Sequence, residues 1–245
     1  MLGLALAMAL VSVYWWFYPH FYRASDAWQY ALSADAVRRG TFLAHPPAAP
    51  IFTHRVGLVL PVALVYALLG VTPHTTTLVP LCAVLIILGV VWWVLPDTPT
   101  RVVGVLCAAA SWPLRNATSQ LLADVVAAAV MSLSVLVLAS RDQPEISRPT
   151  RVWRGALGAL LLCYAFLAKE SSYWLLPVWA GALIVDLRRG RGQLIREFYL
   201  PAVTTGLVFA ALYLWFCSRH FGSAFARLIT IDSVARRHTW RLRSS

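Results

Sequence analysis

Acidic charge is what this sequence has least of. Ten acids serve 245 residues, and lysine occurs once, at Lys169, against twenty arginines. Long polar stretches are missing too. None exceeds about 40 residues, which excludes a soluble domain of any size. Metal and redox motifs are also absent. Cys82, Cys107, Cys163 and Cys217 fall in apolar runs at spacings that suit neither a metal site nor a redox pair. They are expected as small buried hydrophobes. The six histidines form no H-E-x-x-H pair, and no glycine-rich loop could cradle a phosphate. The N-terminus has neither a basic leader nor a small-x-small cleavage site, so its apolar run reads as a retained span.

Apolar residues are what is present. They make up 60% of the chain, with only 13% charged, and they cluster in long runs. Candidate spans lie at 2–18, 56–71, 76–95, 101–113, 119–139, 153–168, 171–187 and 200–217. In lipid the backbone must satisfy its own hydrogen bonds, so these runs are expected as helices. The expected fold is all-α. It is a polytopic transmembrane bundle of about seven to eight apolar segments, forming a single domain over 1–217. A juxtamembrane amphipathic helix is expected in the first loop, 19–55, and a basic tail over 218–245. The net charge of +11 does not point to nucleic acid. The arginines lie between spans, where basic residues set topology and meet lipid headgroups.

Topology follows from the arginines. Loop 140–154 carries Arg141, Arg148, Arg151 and Arg154, and loop 186–199 carries Arg188, Arg189, Arg191 and Arg196. Two spans separate the loops, so they share a side, and eight arginines argue for the cytoplasm. Lys169, Glu170 and Asp124 then face outward. Loop 19–55 faces outward only if one segment between 56 and 116 fails to cross. Segments 101–113 and 56–71, the latter with Pro61, are the short ones. The tail from 218 carries six arginines and fits the positive-inside tendency only if 200–217 does not cross.

Among the acids, most sit in loops beside arginines and are expected as solvated charge. Asp124 opens an otherwise apolar span. It faces a cavity or a cation, or else is a snorkelling helix-start carboxylate held by the helix dipole. Asp26 falls in the first turn of a helix expected over 26–39, with Ser25 as N-cap and Gly40 as stop. It could accept a proton or bind a metal, or simply cap the helix. Asp35 is expected to pair with Arg38 or Arg39. Lys169 offers a compact charge suited to a phosphate oxygen, or forms a local pair with Glu170 that ends two helices. Arg55 and Arg115, at segment ends, suit a phosphate or a headgroup. Trp15, Trp16, Tyr18, Trp92, Trp93, Tyr173 and Trp174 read as an interfacial belt. Trp28 or Tyr30 could stack on a sugar. Asn116-Ala117-Thr118 is a formal glycosylation sequon.

Four pieces in order carry a resemblance: "SDAWQYALSADAVRRGTF", "HRVGLVLPVALVYALLG", "ATSQLLADVVAAAV" and "AFLAKESSYWLLPVW". They resemble, in turn, a D-x-x-x-Y first loop, an R-x-G-x-x-x-P segment, a second acidic site and an A-x-L-x-K-E segment. Together they resemble the GT-C type of integral-membrane glycosyltransferase, in its protein-mannosyltransferase-like form, over residues 5–215. Ala123 stands where the family has proline, and Asp26 stands alone where many members have a pair. The family is normally longer, so a short or truncated member is expected.

The resemblance implies a polyprenyl-phosphate sugar donor and a glycolipid, polysaccharide or protein acceptor, met at the outer face of a bacterial inner membrane. It implies that the first loop, 19–55, is an outer loop. It implies Asp26 as catalytic base or metal-organising acid and Asp124 as a second acid in the same cavity. Arg55 and Lys169 would neutralise the donor phosphate, and Glu170 would hold Lys169. A divalent cation, Mg or Mn, could be held by Asp26 and Asp124. The alternative is a non-enzymatic membrane protein that binds or transports a lipid phosphate.

Overall fold

The computed structural model describes residues 1–18, 25–43, 55–143 and 145–221. Among these, all regular structure is helical. The main helices are α1 (Leu2–Phe17), α2 (Ser25–Arg38), α3 (Val56–Leu69), α4 (Pro73–Val94) and α5 (Thr98–Ala110). They continue with α6 (Trp112–Thr118), α7 (Ala123–Ala139), α8 (Arg148–Ala168), α9 (Leu175–Arg188) and α10 (Leu200–Phe221). A tight turn, Glu170–Trp174, links α8 to α9. A helical turn at Gly192–Leu194 and a wide turn at Ile195–Tyr199 lead into α10.

Every apolar run of the sequence is helical, but the runs differ in length. Four stretches are long and apolar enough to cross a membrane: Pro73–Val94, Ala123–Asp142, Arg148–Ala168 and Gly192–His220. Leu2–Phe17, Val56–Leu69 and Thr98–Ala110 are apolar but shorter.

Local chemistry sets the helix ends. The Thr72 hydroxyl accepts from the Thr75 N–H at 3.1 Å, and the Thr75 hydroxyl accepts from the Thr72 N–H at 2.8 Å. This reciprocal cap, with Pro73 at the first position, starts α4. Asp97 caps α5 by accepting from the Thr100 N–H at 3.0 Å. Beyond α2 and α3, Gly40 and Gly70 adopt φ of +73° and +79°, a turn other residues take only with strain.

Contacts between helices give the direction of each. Gly3 of α1 lies against Val102, near the start of α5. At the other end of α1, the Arg115 guanidinium of α6 sits 5.5 Å over the Tyr14 ring. Trp15 Nε1 donates to Thr77 Oγ1 at 2.8 Å, and His74 Nε2 is bonded to the Trp16 carbonyl at 2.9 Å. The end of α1, the start of α4 and α6 therefore share one end of the bundle. There α7 begins and α8 finishes, because Asp124 is ion-paired to Lys169.

The start of α3 belongs to the same end, since Arg55 is paired to Glu170. Its last turn is there too: Tyr66 and Thr76 share a hydrogen bond of 2.7 Å between their hydroxyls, in the first turn of α4. The two ends of α3 thus touch the end of α8 and the start of α4.

The apolar interior has two parts. One is shared by α1 to α5 and α7, with Tyr30, Leu58, Tyr66, Leu88 and Val105 fully buried. The other lies between α8, α9 and the start of α10, around Trp179 and Phe198, whose rings stack at 5.8 Å. Glycine permits the closest approaches. A Cβ on Gly57 would lie 2.5 Å from the Ala168 backbone nitrogen, and one on Gly155 would collide with the Phe198 carbonyl.

Several expectations need correction. α2 is not a surface amphipathic helix: Ala27, Tyr30, Ala31, Ser33, Ala34 and Ala36 are buried around most of it. Small side chains let it pack on α3. Cys82 and Cys107 are exposed on the bundle's outer surface, and only Cys217 is buried. In the sequon, Thr118 is wholly buried and donates to the Arg115 carbonyl at 2.7 Å, so it offers no surface acceptor loop. Residues 222–245 of the basic tail lie outside the described residues.

At the arginine-rich end, the acids are not simply solvated. Asp186 is completely buried. Its carboxylate accepts from Arg141 Nε at 2.7 Å, the Tyr199 hydroxyl at 2.7 Å and Arg191 Nη1 at 3.1 Å. Arg191 also pairs with Asp142. Glu197, nearly as buried, accepts from Arg151 Nη1 at 2.5 Å and Gln193 Nε2 at 3.1 Å. These bonds fasten loop 140–154 to loop 186–199.

Candidate functional site

The opposite end gathers most of the residues singled out by the sequence. α8 stops at Ala168, and the chain turns through Lys169 and Glu170 into the tight turn. Lys169 is extended, with φ −151° and ψ 131°, so the two neighbouring side chains leave in different directions. They do not pair with each other. Lys169 Nζ is ion-paired to Asp124 Oδ1 at the start of α7. Glu170 takes Arg55 at the start of α3, in a two-pronged pair: Arg55 Nη2 to Oε1 at 2.7 Å and Nε to Oε2 at 3.2 Å. The expected Lys169–Glu170 pair is therefore replaced by two long-range ties.

Arg55 is nearly buried, with its side chain 10% exposed, and Glu170 is 23% exposed. A third contact completes the arrangement: Arg55 Nη1 donates to the Tyr30 hydroxyl. Burial would lower the Arg55 pKa, but the hydrogen bonds of Glu170 and Tyr30 outweigh it and hold the guanidinium charged. Burial pushes the Tyr30 phenol up to about 12, although the charge and hydrogen bond of Arg55 act the other way. The carboxylates of Asp26 and Glu170 add to the rise.

Tyr30, Arg55 and Glu170 are joined by hydrogen bonds, and Lys169, next to Glu170 in the chain, carries this string on to Asp124 across α2, α3, the α8 end and α7. Asp26 lies one turn before Tyr30 on α2. The Lys169–Asp124 link is the more open one, with Lys169 25% and Asp124 63% exposed. Gly57 sets Arg55 in place. It lets α3 touch the backbone of Leu167 and Ala168, and its carbonyl accepts from the Tyr164 hydroxyl at 2.6 Å.

Arg115 shares this end but not the string. Its guanidinium lies over Tyr14, and its Nε is buried with no hydrogen-bond partner among the described residues. Tyr30 is 1% exposed, so it cannot stack on a sugar. Trp28, on the same helix, is 46% exposed. Of the seven aromatics expected as an interfacial belt, Trp16, Tyr18, Trp93, Tyr173 and Trp174 are exposed, whereas Trp15 and Trp92 are half-buried and pack against the core. No group of three or more His, Cys, Asp or Glu forms among the described residues. The two carboxylates considered for a divalent cation differ in setting, and Asp124 would have to exchange Lys169 for the metal.

Two apolar clefts are lined by chain neighbours of these residues, Ser172 and Val56. The first, about 670 Å³, lies between α8, α9 and α10 and is lined by Leu162, Phe166, Tyr173, Leu176 and Trp179. It exists because α10 packs on α8 rather than on α9. The second, about 560 Å³, is lined by Val37, Phe42, Val56, Leu60, Leu167 and Phe216. Val56, one of its lining residues, follows Arg55 in the chain. Phe209 and Tyr213 of α10 line both.

Sequence reasoning missed Tyr30 as a partner of Arg55 and Asp186 as a buried anchor. A signal existed for Tyr30. A tyrosine in an alanine-rich helix, one turn from an acid, buries its ring and needs a partner for its hydroxyl. Asp186 gave none, because its three partners come from different segments. Comparison with family models, curated proteins and solved structures finds no match to this chain.

Proposed function

We propose that this protein is a membrane glycosyltransferase that moves a sugar from a polyprenyl-phosphate donor to an acceptor at the outer face of a bacterial inner membrane. One observation supports it most. Arg55 with Glu170, and Lys169 with Asp124, scattered in sequence, pair at one end of an apolar helical bundle, and Asp26 lies on the helix whose Tyr30 is bonded to Arg55. Their chain neighbours Val56 and Ser172 line two clefts whose walls are almost wholly apolar. Cations and apolar clefts in one region suit an amphiphile with an anionic head and a hydrocarbon chain.

In this reading Lys169 and Arg55 receive the donor phosphate, and Arg115 adds positive potential at the same end. The phosphate oxygen leaves the anomeric carbon as the acceptor oxygen bonds to it from the opposite face, inverting the sugar. Asp26 takes the acceptor's proton, a contribution of about 10²–10⁴ in rate. The cations stabilise the departing phosphate in a water-poor site. Glu170 holds Arg55 rather than Lys169, and Asp124 holds Lys169. A divalent cation, Mg or Mn, at Asp26 and Asp124 would add Lewis-acid stabilisation.

The second reading is a non-enzymatic protein that binds or transports a lipid phosphate. Its support is that both cations already carry carboxylate partners, as a structural or binding site would. Incubation of the purified protein with polyprenyl-phosphate sugars tests the choice. Donor hydrolysis or transfer supports the enzyme, and saturable donor binding without turnover supports the binder.

A further inference from the structure

The eight arginines of the two fastened loops divide into two sets. Arg141, Arg148, Arg151 and Arg191 are ion-paired to Asp186, Glu197 or Asp142. Arg154, Arg188, Arg189 and Arg196 have no carboxylate within ion-pair distance among the described residues. Arg154 spends its donors on neutral oxygens, the Ser140 carbonyl at 3.2 Å and Gln143 Oε1 at 3.0 Å. Arg188, Arg189 and Arg196 are exposed. Eight arginines face four acids in these loops, Asp142, Glu145, Asp186 and Glu197, so a positive excess remains.

We propose that these two loops form a docking platform for anionic phospholipid headgroups, with Arg188, Arg189 and Arg196 as its contacts and Arg154 adding charge. Three observations carry this. First, the platform is braced. Buried Asp186 and Glu197 bind the loops together, and the Arg191 N–H bonds to the Asp186 carbonyl at 3.1 Å, closing the turn that carries Arg188 and Arg189. Second, the free guanidiniums complement a phosphate in charge and in donor geometry. Third, the level is right. Trp153, beside Arg154, is 74% exposed, and exposed Leu187 and Leu200 adjoin the loops. Tryptophan beside arginine at a helix end sits where headgroups lie.

A paired arginine has part of its charge offset by its own carboxylate, whereas Arg188, Arg189 and Arg196 have no such carboxylate among the described residues. Each basic residue near an anionic surface contributes roughly fivefold in affinity, so three contribute on the order of 100-fold. The platform lies at the end of the bundle away from Lys169 and does not rest on the glycosyltransferase reading.

Native mass spectrometry of the whole protein in neutral detergent, titrated with phosphatidylglycerol or phosphatidylcholine, tests the proposal. Phosphatidylglycerol should be retained in preference. The triple variant R188Q/R189Q/R196Q should bind it on the order of 100-fold more weakly, while R188K/R189K/R196K keeps most of the preference. R38Q/R39Q, whose arginines are paired to Asp35, should leave it unchanged. High salt should abolish the preference in the unaltered protein, a reading that needs no variant to fold. Equal retention of the two lipids by the unaltered protein would overturn the proposal. So would an undiminished preference in the triple glutamine variant.

Discussion

Arg55 and Glu170, 115 residues apart in sequence, meet through two hydrogen bonds of 2.7 and 3.2 Å. The pair joins the start of α3 to the end of α8. Replacing Glu170 by glutamine leaves a nearly buried guanidinium without its counter-charge. Glu170→Gln should lower stability by about 2–3 kcal/mol, less than a fully buried pair because Glu170 is partly exposed. Thermal unfolding in detergent reads the change.

Gly57 makes that pair reachable. Gly57→Ala places a methyl against the Ala168 backbone nitrogen, where no flexible side chain can give way. It should cost about 1–3 kcal/mol. Gly89, mid-helix in α4 with open space around it, gives the opposite sign. Gly89→Ala should stabilise by about 0.5–1 kcal/mol. If the two variants shift the unfolding midpoint in the same direction, the close contact between α3 and α8 is wrong.

Tyr30 supplies a pH signature. Its phenol is raised from 10.0 to about 12, so the folded state holds this proton more tightly than the unfolded one. The stability linked to it is fully present below pH 10 and is lost as pH rises toward about 12. Tyr30→Phe should remove that part of the alkaline decline, making the variant's stability fall less steeply over this window. A pH series of unfolding midpoints for both proteins checks this, and parallel curves would contradict it.

At the other end, Asp186 anchors three donors while wholly buried. Asp186→Ala leaves Arg141 and Arg191 without it and should cost about 3–5 kcal/mol. Asp142→Ala removes a half-exposed partner of Arg191 and should cost less than about 1 kcal/mol. Comparable losses for the two would show that burial does not decide the cost.

These contrasts also show what was legible in the sequence. The apolar runs became helices because lipid leaves the backbone no other solution, and hydropathy records that directly. Gly40 and Asp26 were readable as a helix stop and a first-turn acid because capping is local chemistry. The pairing of Lys169 was not. Its partner Asp124 lies 45 residues away, and adjacency favoured Glu170 until the extended backbone at Lys169 turned the two apart. Length and Pro61 mark α3 as a short segment, and only the contacts of Arg55 and Tyr66 show what its two ends touch. The depth of Asp186 was hidden because a loop acid among arginines looks the same whether solvated or buried.

The Lys169–Asp124 pair separates stability from function. It is partly exposed, so Asp124→Asn should change stability by less than about 1 kcal/mol. In the proposed reaction the same change should still reduce transfer, because Lys169 loses its positioning partner. Unfolding midpoints and turnover measured on the same sample distinguish these effects. A large loss of stability with unchanged turnover would assign the pair a purely structural role.

The most direct test of the account measures donor binding and sugar transfer side by side in the unaltered protein and in Asp26→Asn, with a polyprenyl-phosphate sugar as donor. The account predicts that Asp26→Asn binds the donor as the unaltered protein does and loses transfer by about 10²–10⁴. Unchanged behaviour of Asp26→Asn, with donor binding abolished by Lys169→Ala, would contradict the enzyme reading and leave a lipid-phosphate binder in its place.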